Sequence, residues 1–271
     1  MTAAATTVDW PAAQKAVAEA GTRFTALLRS VTRPDAPALG HWSSSQVAVH
    51  VSIVTDAIWA MTRGGGNVLA DVWDLPKLSQ VLIDGEGRRT PAEMADRIDA
   101  SVARFLAAMK AAGEDTSHSW LIQGTEMPLS TLTCHILNEL TIHGLDIARA
   151  EGVPWPIDKA HATLIVQGFF FSALHTLGRA MVVQDKAGNA RFEIRLRADG
   201  RAWVLFADGN LSVEASPQGP GDCHLSVDPA AFLLVSWGRT SQWPGIAKGQ
   251  LLAWGRKPWL GMQMRSWLRN P

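Results

Sequence analysis

Residues 138–146 read Asn-Glu-Leu-Thr-Ile-His-Gly-Leu-Asp, within a segment whose apolar residues recur with helical spacing. The segment begins at Pro128 and ends at Gly152, which predicts a long helix. Glu139 and His143 are four residues apart, so their side chains would share one face of that helix and could converge on one point. The pair is therefore either an ordinary helix-surface interaction or part of a metal site that needs a third ligand.

A lone histidine, His50, interrupts the apolar run 47–54 far upstream. A histidine on an apolar helix face is more often a hydrogen-bonded core residue than a ligand, but this one would complete a set with Glu139 and His143. Two imidazoles and one carboxylate suit zinc and leave a coordination position open for chemistry. Helical bundles commonly hold metals in this way, through residues on facing helices.

Two further residues leave alternatives open. His135 lies four residues before Glu139 and could replace His50 as a ligand. Asp146 follows on or near the same face, where it could orient a ligating imidazole or act as a base near the open position. It could equally form a surface ion pair with Arg149.

Composition excludes several classes of function. The chain of 271 residues is 47% hydrophobic, with a formal charge of zero and a pI near 7.1, so neither nucleic-acid binding nor an acidic tail is expected. The longest apolar stretches, near 164–171 and 230–237, fall short of the about 20 residues that span a bilayer. No signal-peptide pattern precedes the two distant cysteines, Cys134 and Cys223, which predicts a cytoplasmic protein with reduced thiols.

Capping signals and apolar spacing predict five helices in the first part of the chain. They begin at Asp9, at Ser43 with Gln46, at Thr90 with Glu93, at Pro128 and at Asp158. The first four would form an up-down bundle, with Gly113 ending the third, and the fifth, at 158–181, would join it or bridge to the second part of the chain. The connection from Gly64 to Arg89 contains Pro76, Gly85 and Gly87 and is predicted to pack as a loop.

Beyond residue 190 the apolar spacing changes from helical to alternating. Strands at 192–196, 203–205 and 211–215, with turns at Asp199-Gly200 and Asp208-Gly209, predict an antiparallel meander. A strand at 224–227, a helix at 230–237, a strand at 250–254 and a helix at 258–268 come next. The chain is thus predicted to be α+β, with a helical domain at 1–182 and a small domain with an antiparallel sheet at 190–271.

The chain resembles a known family. The order His50, then Glu-x-x-x-His-x-x-Asp as Glu139, His143 and Asp146, is similar to that of the mycothiol-dependent maleylpyruvate isomerase family, whose N-terminal domain is a DinB-like four-helix bundle. The second part resembles the sterol-carrier-like domain often fused behind that bundle, in the helix start at Asp228-Pro229, the helix end at 236–239 and the strand entry at 249–251.

This resemblance implies a divalent metal ion, most often zinc, held by His50, Glu139 and His143, and a low-molecular-weight thiol, mycothiol in that family, as co-substrate. A thiol deprotonated at the metal could add to a small electrophilic acid and then depart, which would isomerise the acid. If the thiol stayed attached to the acid, the protein would be an S-transferase. Metal-dependent hydrolysis and a non-enzymatic carrier of an apolar ligand are the rival functions. Cys134 and Cys223 are poor candidates for the thiol.

The remaining expectations concern substrate, partners and the late tryptophans. Asp146 is expected to take part in catalysis, and Arg239 is the first candidate for binding an anionic substrate, with an exposed helix-terminal charge as the alternative. The expected partners are a small molecule and a small thiol, not nucleic acid or membrane, for a monomer or homodimer. The late tryptophans either fill the core of the second domain or line an apolar cavity. They are Trp237, Trp243, Trp254, Trp259 and Trp267.

Overall fold

The computed structural model describes residues 8–112, 115–197, 200–216 and 219–269. They form two compact units, the first from Asp9 to Pro156 and the second from Ile157 to the end of the described chain. The division lies earlier than the predicted one between 182 and 190, because the helical segment after Ile157 packs on elements of the second unit. Among the described residues, no helix combines the length and the apolarity needed to cross a bilayer.

The first unit is a four-helix bundle with one additional helix. Its helices are α1 (Trp10–Arg29), α2 (Ser44–Met61), α3 (Leu75–Glu86), α4 (Pro91–Ala112) and α5 (Leu129–Glu151). Two short hairpins pair β1 (Pro37–Leu39) with β2 (Trp42–Ser43) and β3 (Ser117–Ser119) with β4 (Glu126–Pro128). Both α1 and α2 pack against α4 and α5, so α1 and α2 occupy opposite corners of the predicted bundle.

Four of the five helix starts predicted in the first part of the chain are confirmed by side-chain caps, and the fifth, α5, begins after Pro128 without one. In each of the four, a side chain accepts a backbone N–H of the first turn, which has no intrahelical partner. The capping residues are Asp9 for α1, Ser43 with Gln46 for α2, Thr90 with Glu93 for α4 and Asp158 for the first helix of the second unit. At the other end of α5, Gly152 adopts the left-handed conformation that commonly ends a helix. Gly113, predicted to end α4, lies outside the described residues.

The predicted loop between Gly64 and Arg89 is wrong, because this segment contains α3. Pro76 falls in the first turn of α3, where a backbone N–H would have no intrahelical partner. Gly87 comes directly after the last helical residue and has a φ of 67°. Ile83 is buried, and α3 packs on α2, so tertiary packing stabilises a helix that contains a glycine.

The second unit begins with a helical segment and continues into a five-stranded sheet. The segment comprises α6 (Lys159–Leu164), a π-helical stretch (Ile165–Phe170), α7 (Phe171–Leu177) and a 3-10 turn (Gly178–Met181), where one continuous helix was predicted. The strands are β5 (Ala190–Leu196), β6 (Arg201–Ala207), β7 (Asn210–Glu214), β8 (Cys223–Val227) and β9 (Leu251–Trp254), in the order β7-β6-β5-β8-β9. The remaining helices are α8 (Pro229–Ser236), α9 (Gln242–Ala247) and α10 (Leu260–Gln263), with a 3-10 turn (Met264–Trp267) after them.

The predicted antiparallel sheet requires one correction. The meander of β5, β6 and β7 is confirmed, but β8 runs parallel to β5. Asp208 and Gly209 have φ values of 52° and 71°, and positive values at both positions are what a type I′ hairpin turn requires. Asp199, of the other predicted turn, lies outside the described residues. Alternating burial identifies the two faces of a strand but not its direction, so it could not reveal the parallel pair.

Gly144 allows the ring of Trp155 to pack directly against α5. A Cβ at position 144 would overlap Cζ2 of that ring. The ring is held by a 3.0 Å bond from its Nε1 to the Thr141 carbonyl and by the Arg23 guanidinium, 3.8 Å from its centroid.

We therefore expect Gly144→Ala to lower the free energy of unfolding by about 1–3 kcal/mol through overpacking, as measured by urea denaturation. Gly85→Ala is the matched control, because a Cβ there meets no neighbour within 4 Å and should not destabilise α3. The penalty should largely disappear in a Trp155→Ala background. A penalty that persisted there would contradict this assignment.

Candidate metal centre

The helix α5 is buried on all sides although it carries many polar residues. Every residue from Leu129 to Ala148 is buried. Burying a polar or charged group without a partner costs several kcal/mol, so such groups are almost always paired in protein cores. The polar residues in the second half of this stretch are Asn138, Glu139, Thr141, His143 and Asp146.

Three of the predicted ligands come together between α2 and α5. Glu139 Oε2 lies 3.5 Å from His50 Nε2 and 3.3 Å from His143 Nε2. One nitrogen or oxygen atom from each of the three side chains lies within 4.8 Å of the others, a group that could hold a metal ion. These side chains are 10–13% exposed, so the centre is nearly enclosed yet not sealed from small molecules.

His135 lies beside the other carboxylate oxygen of Glu139. Its Nε2 lies 3.5 Å from Glu139 Oε1, whereas His50 and His143 contact Oε2. The converging group of donor atoms contains His50 and not His135. The geometry therefore favours His50 as the third ligand and places His135 behind the carboxylate.

Asp146 lies beside one of the two converging histidines. Its Oδ2 is 3.0 Å from Nδ1 of His143, while Nε2 of that ring faces Glu139. A carboxylate on Nδ1 fixes the tautomer and the orientation of an imidazole whose other nitrogen binds a metal. This geometry fits the orienting role considered from the sequence.

Charge in this centre is set by the balance of burial and hydrogen bonding. Burial would raise the pKa of Glu139, but bonds from His135, His143 and His50 outweigh it and hold that pKa well below its usual value. Burial also opposes protonation of His143, yet its bonds to Asp146 and Glu139 raise its pKa to about 9. For His50 burial dominates and lowers the pKa. Glu139 is thus a carboxylate at neutral pH.

A tryptophan that the sequence analysis did not single out forms one wall of the centre. The ring of Trp42 in β2 lies 5.0 Å from the ring of His50, centroid to centroid. Its Nε1 donates to Gln80 Oε1 at 2.8 Å, so α3 fixes this ring. The contact was missed because Gln80 belongs to the segment predicted as a loop, and no local pattern around Trp42 identifies it.

The remaining predicted residues have separate surroundings. Arg239 lies in the second unit just after α8, where its Nη1 donates to the Trp237 carbonyl at 2.9 Å. Its contact with an anionic substrate stays a prediction. Cys134 and Cys223 are both buried free cysteines, and burial raises the pKa of each thiol. Both are therefore poor sources of a thiolate, as expected.

Comparisons with known proteins identify the family. The model of the mycothiol maleylpyruvate isomerase N-terminal domain matches residues 6–148, more than half of the chain. The crystal structure of the mycothiol-dependent maleylpyruvate isomerase has the same fold, with 16% identity and a TM-score of 0.54. The crystal structure of a histidine-to-alanine mutant of that enzyme is 15% identical to this chain and has a TM-score of 0.55. Each comparison covers 91% of this chain and 93% of the solved one. No curated protein sequence matches significantly. The chain therefore belongs to the mycothiol maleylpyruvate isomerase family.

Proposed function

We propose that this protein is a metal-dependent enzyme that uses a low-molecular-weight thiol, mycothiol or a close equivalent, to isomerise a small electrophilic unsaturated acid. The observation that carries the proposal is the convergence of His50, Glu139 and His143 in the core of a bundle that belongs to this family. Zinc is the expected ion, because two imidazoles and one carboxylate are a common catalytic zinc set.

The residues present fit such an ion. Glu139 is an ionised carboxylate in a buried position, and it faces three imidazoles and no lysine or arginine among the ion pairs of the described residues. A divalent cation would neutralise that charge and satisfy the nitrogens of His50 and His143 at once. The other nitrogen of His143 is already held by Asp146.

The chemistry can be divided between the ion and the chain. When bound, zinc lowers the pKa of a coordinated thiol from about 8.5, so that a thiolate is available at neutral pH. Asp146 accepts a hydrogen bond from Nδ1–H of His143 and so orients the ring, which would direct the Nε2 lone pair at the ion once Nε2 has lost its proton. The ring of Trp42, 5.0 Å from that of His50, would limit rotation of His50 and shield that side of the site from water.

In this proposal the thiol comes from a co-substrate, because both cysteines are buried and burial raises the pKa of each thiol. The sulfur of a thiolate adds to one carbon of a carbon–carbon double bond conjugated with a carbonyl or carboxyl group. Rotation about the resulting single bond and departure of the same thiolate restore the double bond in the other geometry. Protonation of the adduct in place of its collapse would leave a conjugate, so the same centre also suits an S-transferase.

The test is to purify the protein and measure its metal content together with its thiol dependence. We expect about one zinc per chain, and cis–trans isomerisation of maleylpyruvate that requires both mycothiol and the metal. His50→Ala should lose both the zinc and the activity. His118→Ala is the matched control, because His118 lies in β3 and contacts Thr116. Wild-type protein that binds no zinc when it is supplied, or that isomerises without thiol, would refute the proposal.

A His135→Ala variant distinguishes the two alternative ligand sets. With His50 as the ligand, this variant should keep its zinc, because His135 contacts the other oxygen of the carboxylate. If His135→Ala loses the metal and His50→Ala keeps it, the ligand assignment must be exchanged while the proposed reaction stands.

A further inference from the structure

The five-stranded sheet of the second unit ends in β7 on one side and in β9 on the other. Within the described residues, α7 and the 3-10 turn (Gly178–Met181) pack against the β7 edge. The backbone N–H of Val213 in β7 donates to Nδ1 of His175 at 3.2 Å, and the Gln184 amide donates to the Gly209 carbonyl at 2.9 Å. Backbone groups at the β7 edge therefore find partners within the chain.

The β9 edge has no such cover. In an antiparallel pair, successive residues direct their backbone groups alternately toward the partner strand and away from it. The Asp228 N–H donates to the Gln250 carbonyl at 2.7 Å, so Leu252, two residues farther along, also faces β8. Leu251 and Ala253 therefore direct their N–H and C=O groups away from the sheet. Among the described residues, no strand other than β8 pairs with β9.

The sequence of β9 favours association with another strand. Exposed edge strands are commonly protected by charged side chains or by proline. Here the strand reads Leu-Leu-Ala-Trp, without either, and Leu252 and Trp254 are 49% and 40% exposed on one face. The side chains on the other face pack against α9 and α10, where a Cβ at Gly245 or Gly261 would collide with them. An uncharged apolar edge is thus held in place by the helices behind it.

The exposed apolar surface of the second unit is concentrated around this edge. Among the described residues of the unit, the exposed large apolar side chains all lie between positions 243 and 262, and they are Trp243, Leu252, Trp254, Trp259 and Met262. Of the late tryptophans, Trp267 instead packs in the core beside Phe192. Apolar side chains that cluster on a surface mark interaction sites, whereas single ones do not.

We propose that β9 pairs antiparallel with β9 of a second copy of this chain, so that the two sheets become one. Pairing about a two-fold axis at Leu252 joins the outward N–H and C=O groups of Leu251 in each copy to those of Ala253 in the other. The two Leu252 side chains then meet at the axis. A two-fold interface brings the same patch together from both copies, and an uncharged apolar strand is complementary to itself. The interface lies within the second unit and does not depend on the metal centre.

Sedimentation velocity of the full-length protein tests this association. We expect a dimer that forms as the concentration rises to about 100 μM chain. Leu252→Lys places two like charges at the axis and should weaken dimerisation by about tenfold or more. Ala253→Pro should do the same, because it removes an outward N–H that does not bond to β8. Val68→Lys is the matched control, since Val68 is 58% exposed in the first unit.

Cysteine cross-linking tests the register. Directly opposed residues of an antiparallel pair have Cα atoms within the range of about 4.4–6.8 Å that a disulfide requires, so Leu252→Cys should form a covalent dimer under mild oxidation. Trp254→Cys is the control, because its two copies would lie on opposite sides of the axis and too far apart to bridge. The native cysteines, Cys134 and Cys223, are buried and should contribute little background.

The outcomes separate this proposal from the proposed catalytic function. The dimer of His50→Ala should match that of the wild type, and circular dichroism establishes that each variant is folded. The proposal is overturned if the wild type stays monomeric at this concentration, which would leave the β9 edge to a strand of a different protein. It is also overturned if Leu252→Lys and Ala253→Pro leave the dimer unchanged, or if Trp254→Cys cross-links more readily than Leu252→Cys.

Discussion

A Glu139→Gln variant should lose at least about 100-fold in zinc affinity while remaining folded. Residues that only support a metal ligand change affinity by about 10- to 100-fold when they are replaced, and Glu139 would supply the ligand itself. Its Oε2 lies within 3.5 Å of Nε2 of both His50 and His143. The amide would put a neutral oxygen or an N–H donor in that position, and an N–H cannot bind a cation. Competition with a chromogenic chelator measures the affinity.

Glu126→Gln is the matched control for this variant. It makes the same chemical change at an exposed position in β4 of the same unit and should leave zinc affinity unaltered. Circular dichroism of both variants establishes that the helices are intact. If Glu139→Gln binds zinc as tightly as the wild type, the ligand set proposed for this centre is wrong.

Features that depend on a few consecutive residues were predictable from the sequence. The starts of α1, α2 and α4 arise from side chains that bond to backbone only three residues away, as Ser43 does with Gln46. The end of α5 is set by Gly152, which supplies a positive φ. Such interactions are complete within one helical turn, so no knowledge of the tertiary structure is needed to recognise them.

Features that depend on distant residues were not predictable in the same way. The helix α3 contains Gly85 and gains its stability by packing on α2. The parallel pairing of β5 with β8 joins strands that are far apart in sequence. The unit boundary near Ile157 reflects where the segment after it packs, which its own helical pattern does not reveal.

The candidate site combines both kinds of information. The four-residue spacing of Glu139 and His143 is local, and it predicted that they share a face. His50 is on another helix, and spacing alone could not choose between it and His135. The ring of Trp42 reaches His50 from β2, a contact made possible by a hairpin and by Gln80 of α3. When the residues around a site come from several separate elements, no regular spacing in the sequence identifies them.

The metal-free protein should lose more stability than the zinc-bound protein as the pH rises from about 6.5 to about 9. Burial opposes protonation of His143, but bonds to Asp146 and Glu139 raise its pKa to about 9, above the ordinary value of 6.5. A group whose pKa is raised by folding stabilises the fold fully below its unfolded pKa, and this contribution is lost as the pH passes through the folded value. At about 1.4 kcal/mol per pKa unit, the loss should be a few kcal/mol.

Zinc reverses this dependence because a ligating imidazole must be neutral. Binding at pH 7 should therefore release a proton from His143, and affinity should increase with pH over the same window. Urea unfolding of chelator-treated and zinc-loaded protein at pH 6.5 and pH 9 measures the change in stability with pH. Titration calorimetry in buffers of different ionisation enthalpy measures the proton released when zinc binds. The lowered pKa of His50 affects stability only below about 6.5, so it does not overlap this window.

The Asp146→Asn variant tests whether the bond from His143 to Asp146 causes this loss of stability. An amide in place of the carboxylate that lies 3.0 Å from Nδ1 removes the leading interaction that favours the protonated ring. The stability of this metal-free variant should therefore fall much less between pH 6.5 and pH 9. Burial raises the pKa of Cys134 in the folded protein, so this thiol ionises more readily in the unfolded chain. The resulting loss of stability is the same in wild type and in Asp146→Asn, and it cancels when the two are compared. Equal pH profiles for wild type and Asp146→Asn would show that Asp146 does not control His143, and its orienting role would have to be abandoned.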